Sequence, residues 1–300
     1  MQRFSAQCLV PAGDVLGECP VWDPRANELL WTDIHGRRLH RLPDGATEPI
    51  TLPLEGRVCS FAVTDVGLLI AAFDTGLGLL DRHTGEVEWL GDVEPDRPET
   101  RCNDGRPDRN GSFVFGTMVE TPAAEGEPDP APGNFYHWNA GRGLTHLYRN
   151  ARIANGLCFG ADGLIIHYAD SVKGTLWRAR YHPQHALLIE DEVFIAANTH
   201  PGAPDGAAVD TDGNVWNARW GASGVACFAP DGTMVAFVDL DVPHVSACAF
   251  GGPDLDRLYI TTAREHLSPD DPVYERSGSL YVADVGATGL APVPVVTGRA

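Results

Sequence analysis

Apolar and polar residues alternate along this chain in short stretches, and each stretch ends at a turn. "GLLIAAF" (67–73) and "GNVWNARW" (213–220) carry the period of two that predicts strands. "DRHTGEVEWL" (81–90) and "APDGTMVAFV" (229–238) read as hairpins, and no amphipathic helical period stands out. A phrase of turn plus alternating apolar residues then recurs: "DPRANELLWTDI", "TDVGLLIAAFD", "PDRNGSFVFGTM", "GADGLIIHYAD", "DTDGNVWNARW" and "GPDLDRLYITTA". With Asp23, Asp65, Asp108, Asp162, Asp212 and Asp254 as markers, the intervals run from 42 to 54 residues. That is the period of a four-stranded propeller blade. Six such units predict an all-β fold, a six-bladed β-propeller with four-stranded antiparallel blades around a central channel. It would occupy residues 1–300 as a single domain, with its sheet edges hidden by radial closure. A β-sandwich with coincidental turns would not keep this spacing. The N-terminal "AQCLV" is expected to add a strand to the last blade, near "APVPVV", and so lock the ring.

The repeat brings distant residues to one place. About seven residues ahead of each turn stand Glu18, Ser60, Asn103, Asn155, Asp205 and, with a slip of one residue, Ser246. The first strand of a propeller blade lines the channel, so equivalent register predicts that these six form a ring at its mouth. Two carboxylates and two amides crowded together stay repelled or under-satisfied unless a cation sits among them. Any one of these residues could be an ordinary turn-capping side chain. Together, Glu18, Asn155 and Asp205 predict a divalent cation held by oxygen donors, such as Ca²⁺, Mg²⁺ or Mn²⁺. Three protein ligands would leave open positions for water and substrate.

Composition narrows the function. A net charge of −19 argues against nucleic acid or an anionic membrane surface as partner. Seven cysteines without a CxxC pair fit a reducing compartment better than a disulfide scaffold. "MQRFSAQCLVPAG" lacks the apolar core of a signal peptide, and no run is long enough to span a membrane. The expectation is a cytoplasmic protein, monomeric by default. The eleven histidines show no HExxH or HxH spacing, and Ser60 and Ser246 lack a G-x-S-x-G elbow. Trp22, Trp31, Trp216 and Trp220 are expected to pack between blades, with Trp220 the one candidate for stacking on a ligand.

"LGECPVWD", "RCNDGRPDRNGSFVFGTM", "IANGLCFGADG", "PDGAAVDTDGNVWNARWG" and "CAFGGPDLDRLYITTA", from Leu16 to Ala263, resemble the regucalcin/gluconolactonase family of calcium- or zinc-dependent sugar-lactone hydrolases. The resemblance implies a six-bladed propeller whose metal ligands fall on Glu18, Asn155 and Asp205. It also implies substrate contacts from Arg101 and Asn103. Glu120, the nearest match to an acidic residue that family members carry past the "GTM" segment, is placed with these substrate contacts. The implied reaction is metal-dependent hydrolysis of a hexono- or pentonolactone to the aldonic acid, in cytosolic sugar oxidation. Asp205 would be the catalytic base, with metal-hydroxide attack as the competing route. The ion is left open among Ca²⁺, Zn²⁺, Mg²⁺, Mn²⁺ and Fe(II). A non-catalytic calcium-binding propeller, a protein-interaction platform, or a hydrolase of a non-sugar lactone or organophosphate are the alternatives. The Pro-rich stretch "TPAAEGEPDPAPG" after Glu120 reads as a solvated loop or a lid over the site.

Overall fold

The computed structural model describes residues 1–121 and 128–299, and among these there are strands and turns but no α-helix. The strands form six sheets, antiparallel and wound in chain order from the first strand outward except where the N-terminal strands Gln2–Ser5 and Gln7–Val10 join two of them at the outer edge. The first strands are Gly17–Asp23, Val58–Val63, Thr100–Pro107, Ala154–Phe159, Ala203–Val209 and Val245–Gly251. Each lies against the next around a common axis, and the sixth returns to the first. The fold is a six-bladed β-propeller, as the repeat predicts.

Short-range chemistry sets the blade corners. Asp23 Oδ1 accepts the Arg25 N–H, and Asp108 Oδ1 accepts those of Asn110 and Ser112. In the fifth unit Asp210 rather than Asp212 does this, accepting from Asp212 and Asn214. These are Asx turns, in which a side chain stands in for a backbone acceptor. The first two strands of a blade are covered on both faces, so Glu28–Asp33 and Leu69–Phe73 are buried throughout. Core side chains interlock between neighbouring blades: Leu30 with Phe61 and Leu69, and Trp216 with Phe250 and Ile260. Trp22, Trp31 and Trp216 are buried in such contacts.

Ring closure differs from the sequence expectation in one respect. Gln7–Val10 is the outermost strand of the sixth blade, as expected, but it pairs with Leu280–Asp284 and not with "APVPVV". Pro292 and Pro294 remove two of the N–H donors a ladder needs, whereas "LYVAD" keeps all of its own. The "APVPVV" segment instead crosses the far face of the ring as a strap. Thr211 donates to Thr288 O, Val295 bridges to Thr64, and Val296 donates to Gly111 O. Gln2–Ser5 adds a parallel fifth strand to blade five, against Met234–Asp239.

Candidate functional site

Every first strand breaks register with its neighbour at the same level. The breaks fall between Glu18 and Val21, Val58 and Ser60, Cys102 and Gly105, Asn155 and Cys158, Pro204 and Ala207, and Val245 and Ala247. A bulge frees backbone groups from the ladder and re-aims the side chain it carries. Glycine follows the polar residue for a steric reason. Gly156 has φ +68°, and a Cβ there would meet Ala169 Cβ at 2.9 Å; one on Gly206 would meet Ala247 Cβ at 2.5 Å. The inner strands approach too closely for any larger residue at these points.

Four of the six predicted ring residues converge. Glu18, Asn103, Asn155 and Asp205 line one cleft of about 240 Å³, together with Arg101, Ser171, Trp220, Glu265 and a rim of apolar residues. Ser60 and Ser246 do not line it. Ser60 is buried and its hydroxyl has no partner among the described residues. Ser246 Oγ hydrogen-bonds to Gly17 O and to Thr261 Oγ1 at 2.9 Å, bracing the backbone next to Glu18.

A directed series of hydrogen bonds crosses this cleft wall from blade two to blade five. Arg57 donates to both oxygens of Glu120 at 2.7 and 3.0 Å, and Arg101 Nε donates to Glu120 Oε1 at 2.9 Å. Arg101 Nη1 donates to Asn103 Oδ1 at 2.7 Å and to Cys102 O at 2.8 Å. Asn103 Nδ2 donates to Ala154 O at 2.9 Å and Asn155 Oδ1 at 3.1 Å. Asn155 Nδ2 donates to Ser171 Oγ at 2.9 Å, and Ser171 Oγ donates to Pro204 O at 2.7 Å. Glu120, expected to touch substrate, is thus taken up by two guanidinium groups behind the wall. The stretch weighed as a lid falls in part on residues 122–127, outside the described residues.

The carboxylates are the unbalanced part. Glu18 and Asp205 are nearly buried, and each accepts only the N–H of the following residue, Cys19 at 3.1 Å and Gly206 at 3.0 Å. Among the described residues neither has an ion-pair partner within 4.0 Å. Burial, then the charge of Asp104, pushes the Glu18 carboxyl up to about 8. Burial, then Glu18, then Asp104, holds Asp205 well above the usual carboxylate range. Asp104 is also raised by burial, and its Oδ2 accepts the Leu157 N–H at 2.9 Å.

Two carboxylates that resist ionising side by side, next to an amide oxygen, form a donor set that suits a hard divalent ion. Its oxygens are of the right type, and its two charges match the ion's. Among the described residues there is no cluster of three or more His, Cys, Asp or Glu side chains that could hold a metal. The Glu18–Asn155–Asp205 set has only two residues of those types.

Several residues of the site were not singled out in the sequence. Ser171 and Glu265 line the cleft, and Glu265 Oε1 is bonded to His35 Nε2 at 3.0 Å. Trp220, which the sequence did single out as a candidate for stacking on a ligand, lines it too, stacked on His244 at 4.4 Å. Asn217 Nδ2 supports Asp205 from behind by donating to its backbone carbonyl at 2.6 Å, and Arg219 holds Asn217 Oδ1 at 3.0 Å. None sits at the equivalent register of a first strand, the only position the repeat flags. A signal for Ser171 did exist. Asp33 and Asp170 both end second strands, and both take the backbone N–H groups just ahead of a ring residue: Val15 and Leu16, Arg152 and Ile153. The residue after Asp170 is therefore held against the mouth of the channel.

Comparison with known proteins agrees with this architecture. L-arabinolactonase of Azospirillum brasilense is 35% identical over 292 residues, 95% of this chain and 94% of that one. The pentonolactonase of Haloferax volcanii is 32% identical, over 91% of this chain and 92% of its own. The crystal structure of a calcium-binding protein, regucalcin from Agrobacterium tumefaciens, superposes with a TM-score of 0.88 at 30% identity, covering 98% of each chain. Residues 16–264 match the model of the SMP-30/gluconolactonase/LRE-like region, a span that holds all six inner strands and, of the cleft, Glu18, Arg101, Asn103, Asn155, Ser171, Asp205 and Trp220. With its bulged inner strands and the Glu18, Asn155 and Asp205 side chains inside that span, the chain belongs to the SMP-30/gluconolactonase/LRE-like family.

Proposed function

We propose that this protein is a metal-dependent lactonase that hydrolyses a sugar lactone to its aldonic acid, with Glu18, Asn155 and Asp205 as the cation's ligands. One observation carries the proposal. Glu18 and Asp205 are buried in one cleft, where the charge of Glu18 adds to the cost of ionising Asp205, and a guanidinium lines the same cleft. A cleft of about 240 Å³ suits a monosaccharide-sized ligand.

A divalent cation bound there supplies positive charge that polarises the lactone carbonyl and acidifies water. The chain's own groups do the rest. Asp205 takes a proton from the water that attacks the carbonyl carbon. The bond from that carbon to the ring oxygen breaks, and the ring oxygen leaves as a hydroxyl after gaining a proton. The new acid ionises, so each turnover releases one proton. Arg101 faces the product carboxylate or a lactone hydroxyl, and Glu120 keeps its guanidinium in plane. Asn103, bonded through both ends of its amide, fixes the floor on which sugar hydroxyls rest. Trp220 offers an aromatic face.

The test is proton release from glucono-, galactono-, arabinono- and xylonolactones. The chelated protein is assayed first, then again with Ca²⁺, Mg²⁺, Mn²⁺, Zn²⁺ or Fe(II) restored. Hydrolysis that disappears on chelation and returns with an ion supports the proposal. Cation binding with no turnover on any lactone would leave a calcium-binding propeller in its place.

A further inference from the structure

We infer that Ser171 is a positioning residue that fixes which end of the Asn155 amide faces the cleft. The inference rests on the ligand set proposed above, and it follows from counting protons along the hydrogen-bond series. Pro204 has a carbonyl and no N–H, so it can only accept. The single hydroxyl proton of Ser171 is committed to that carbonyl, at 2.7 Å. What Ser171 Oγ still offers is lone pairs, and only the NH₂ end of Asn155 can use them, at 2.9 Å. The amide oxygen is thereby turned to the other side, toward the cleft.

The opposite end of the series enforces the same answer. Arg101 is a donor only, and its Nη1 occupies Asn103 Oδ1 at 2.7 Å. Asn103 must therefore present its NH₂ to Asn155, and it reaches Oδ1 at 3.1 Å. A pure donor at one end and a pure acceptor at the other leave one self-consistent orientation for both amides. Reversed, Asn155 would present two N–H groups to a cation and an oxygen to a hydroxyl with no proton to give.

Ser171 also ties two blades together. Its residue follows the second strand of blade four, and Pro204 directly precedes Asp205 in blade five. The same oxygen atom therefore orients one proposed ligand and steadies the backbone ahead of another. Corresponding braces occur at the other two: Ser246 Oγ on Gly17 O ahead of Glu18, and Asn103 Nδ2 on Ala154 O ahead of Asn155. Of these, only Ser171 both donates to such a carbonyl and accepts from a proposed ligand.

The experiment compares wild type, Ser171→Ala and Ser171→Thr after chelation. It uses Ca²⁺ and Mn²⁺ as calorimetric probes, thermal melts without cation, and lactone turnover with saturating cation. Ser171→Ala should weaken cation binding about 10-fold or more, the usual scale for losing a residue that orients a ligand. The cation-free melt should change little, because the serine is only partly buried. Turnover at saturating cation should recover most of the loss. Ser171→Thr, which keeps the hydroxyl, should restore affinity to within a few-fold. Equal affinity in wild type and Ser171→Ala overturns the inference while the ligand set stands. No binding of either ion by the wild type overturns the ligand set itself. A fall in affinity that threonine does not restore assigns the effect to packing and also overturns the inference.

Discussion

Replacing Asp205 by asparagine should stabilise the metal-free protein while disabling it. The substitution keeps the side chain's size and its acceptor for the Gly206 N–H. It removes a carboxyl that burial, Glu18 and Asp104 together drive toward its neutral form. Exchanging a poorly compensated buried charge for a neutral group of equal volume yields about 1–4 kcal/mol. For a chain of this size each kcal/mol moves the melting midpoint by about 2–4 °C. The chelated variant should therefore melt about 2 °C or more above chelated wild type. With cation present the order should reverse, because the variant loses a charged ligand and wild type gains binding energy. Turnover should fall about 10²- to 10⁴-fold, the scale of a lost general base. Scanning fluorimetry with chelator and with Ca²⁺, beside proton-release kinetics, gives all three numbers. A chelated Asp205→Asn that melts below wild type would refute the account of crowded carboxylates. One that keeps more than a tenth of wild-type turnover would refute the catalytic assignment.

Asp33 tests the scaffold beneath the cleft. It is fully buried and accepts from Val15, Leu16 and Gly36 N–H and from Arg38 Nη2, and these bonds hold its carboxyl below the ordinary value of 3.8. A depressed carboxyl contributes stability above its unfolded value and loses it as pH falls through the folded one. Asp33→Asn should cost about 2–4 kcal/mol at pH 7. In urea melts, that gap from wild type should narrow as the pH drops below 3.8. Val295, fully buried in the C-terminal strap, tests the far face. Val295→Ala should cost about 1–3 kcal/mol in urea melts, with turnover within about twofold of wild type, because the strap joins the ends of the inner strands remote from Glu18 and Asp205.

The fold was legible because the turn phrase repeats at blade spacing, and six similar units leave few ways to bury their strands. The same register argument found Glu18, Asn103, Asn155 and Asp205, since a single symmetry fixes both blades and channel. It overreached at Ser60 and Ser246, which do not line the cleft: the Ser246 hydroxyl is bonded inside the wall, and that of Ser60 is buried away from it. It also passed over Ser171 and Asn217. These act from second strands and their turns, and their importance lies in which atom donates to which. That information depends on backbone carbonyls freed by the bulges, and a bulge is a property of paired strands rather than of one strand's residues. Arg101 lines the cleft, and its partner Glu120 stands nineteen positions away, where only the pairing of two strands brings it near.

Residues 2–10 clasp two adjacent blades at once, as an added strand on the fifth and the outer strand of the sixth. The strands that receive them, Met234–Asp239 and Leu280–Asp284, lie more than 220 positions further along the chain. Closing so long a loop makes circularisation a late and slow event in folding. The finished molecule benefits from the same arrangement, since prising the circle apart at that seam means peeling two β-ladders off together.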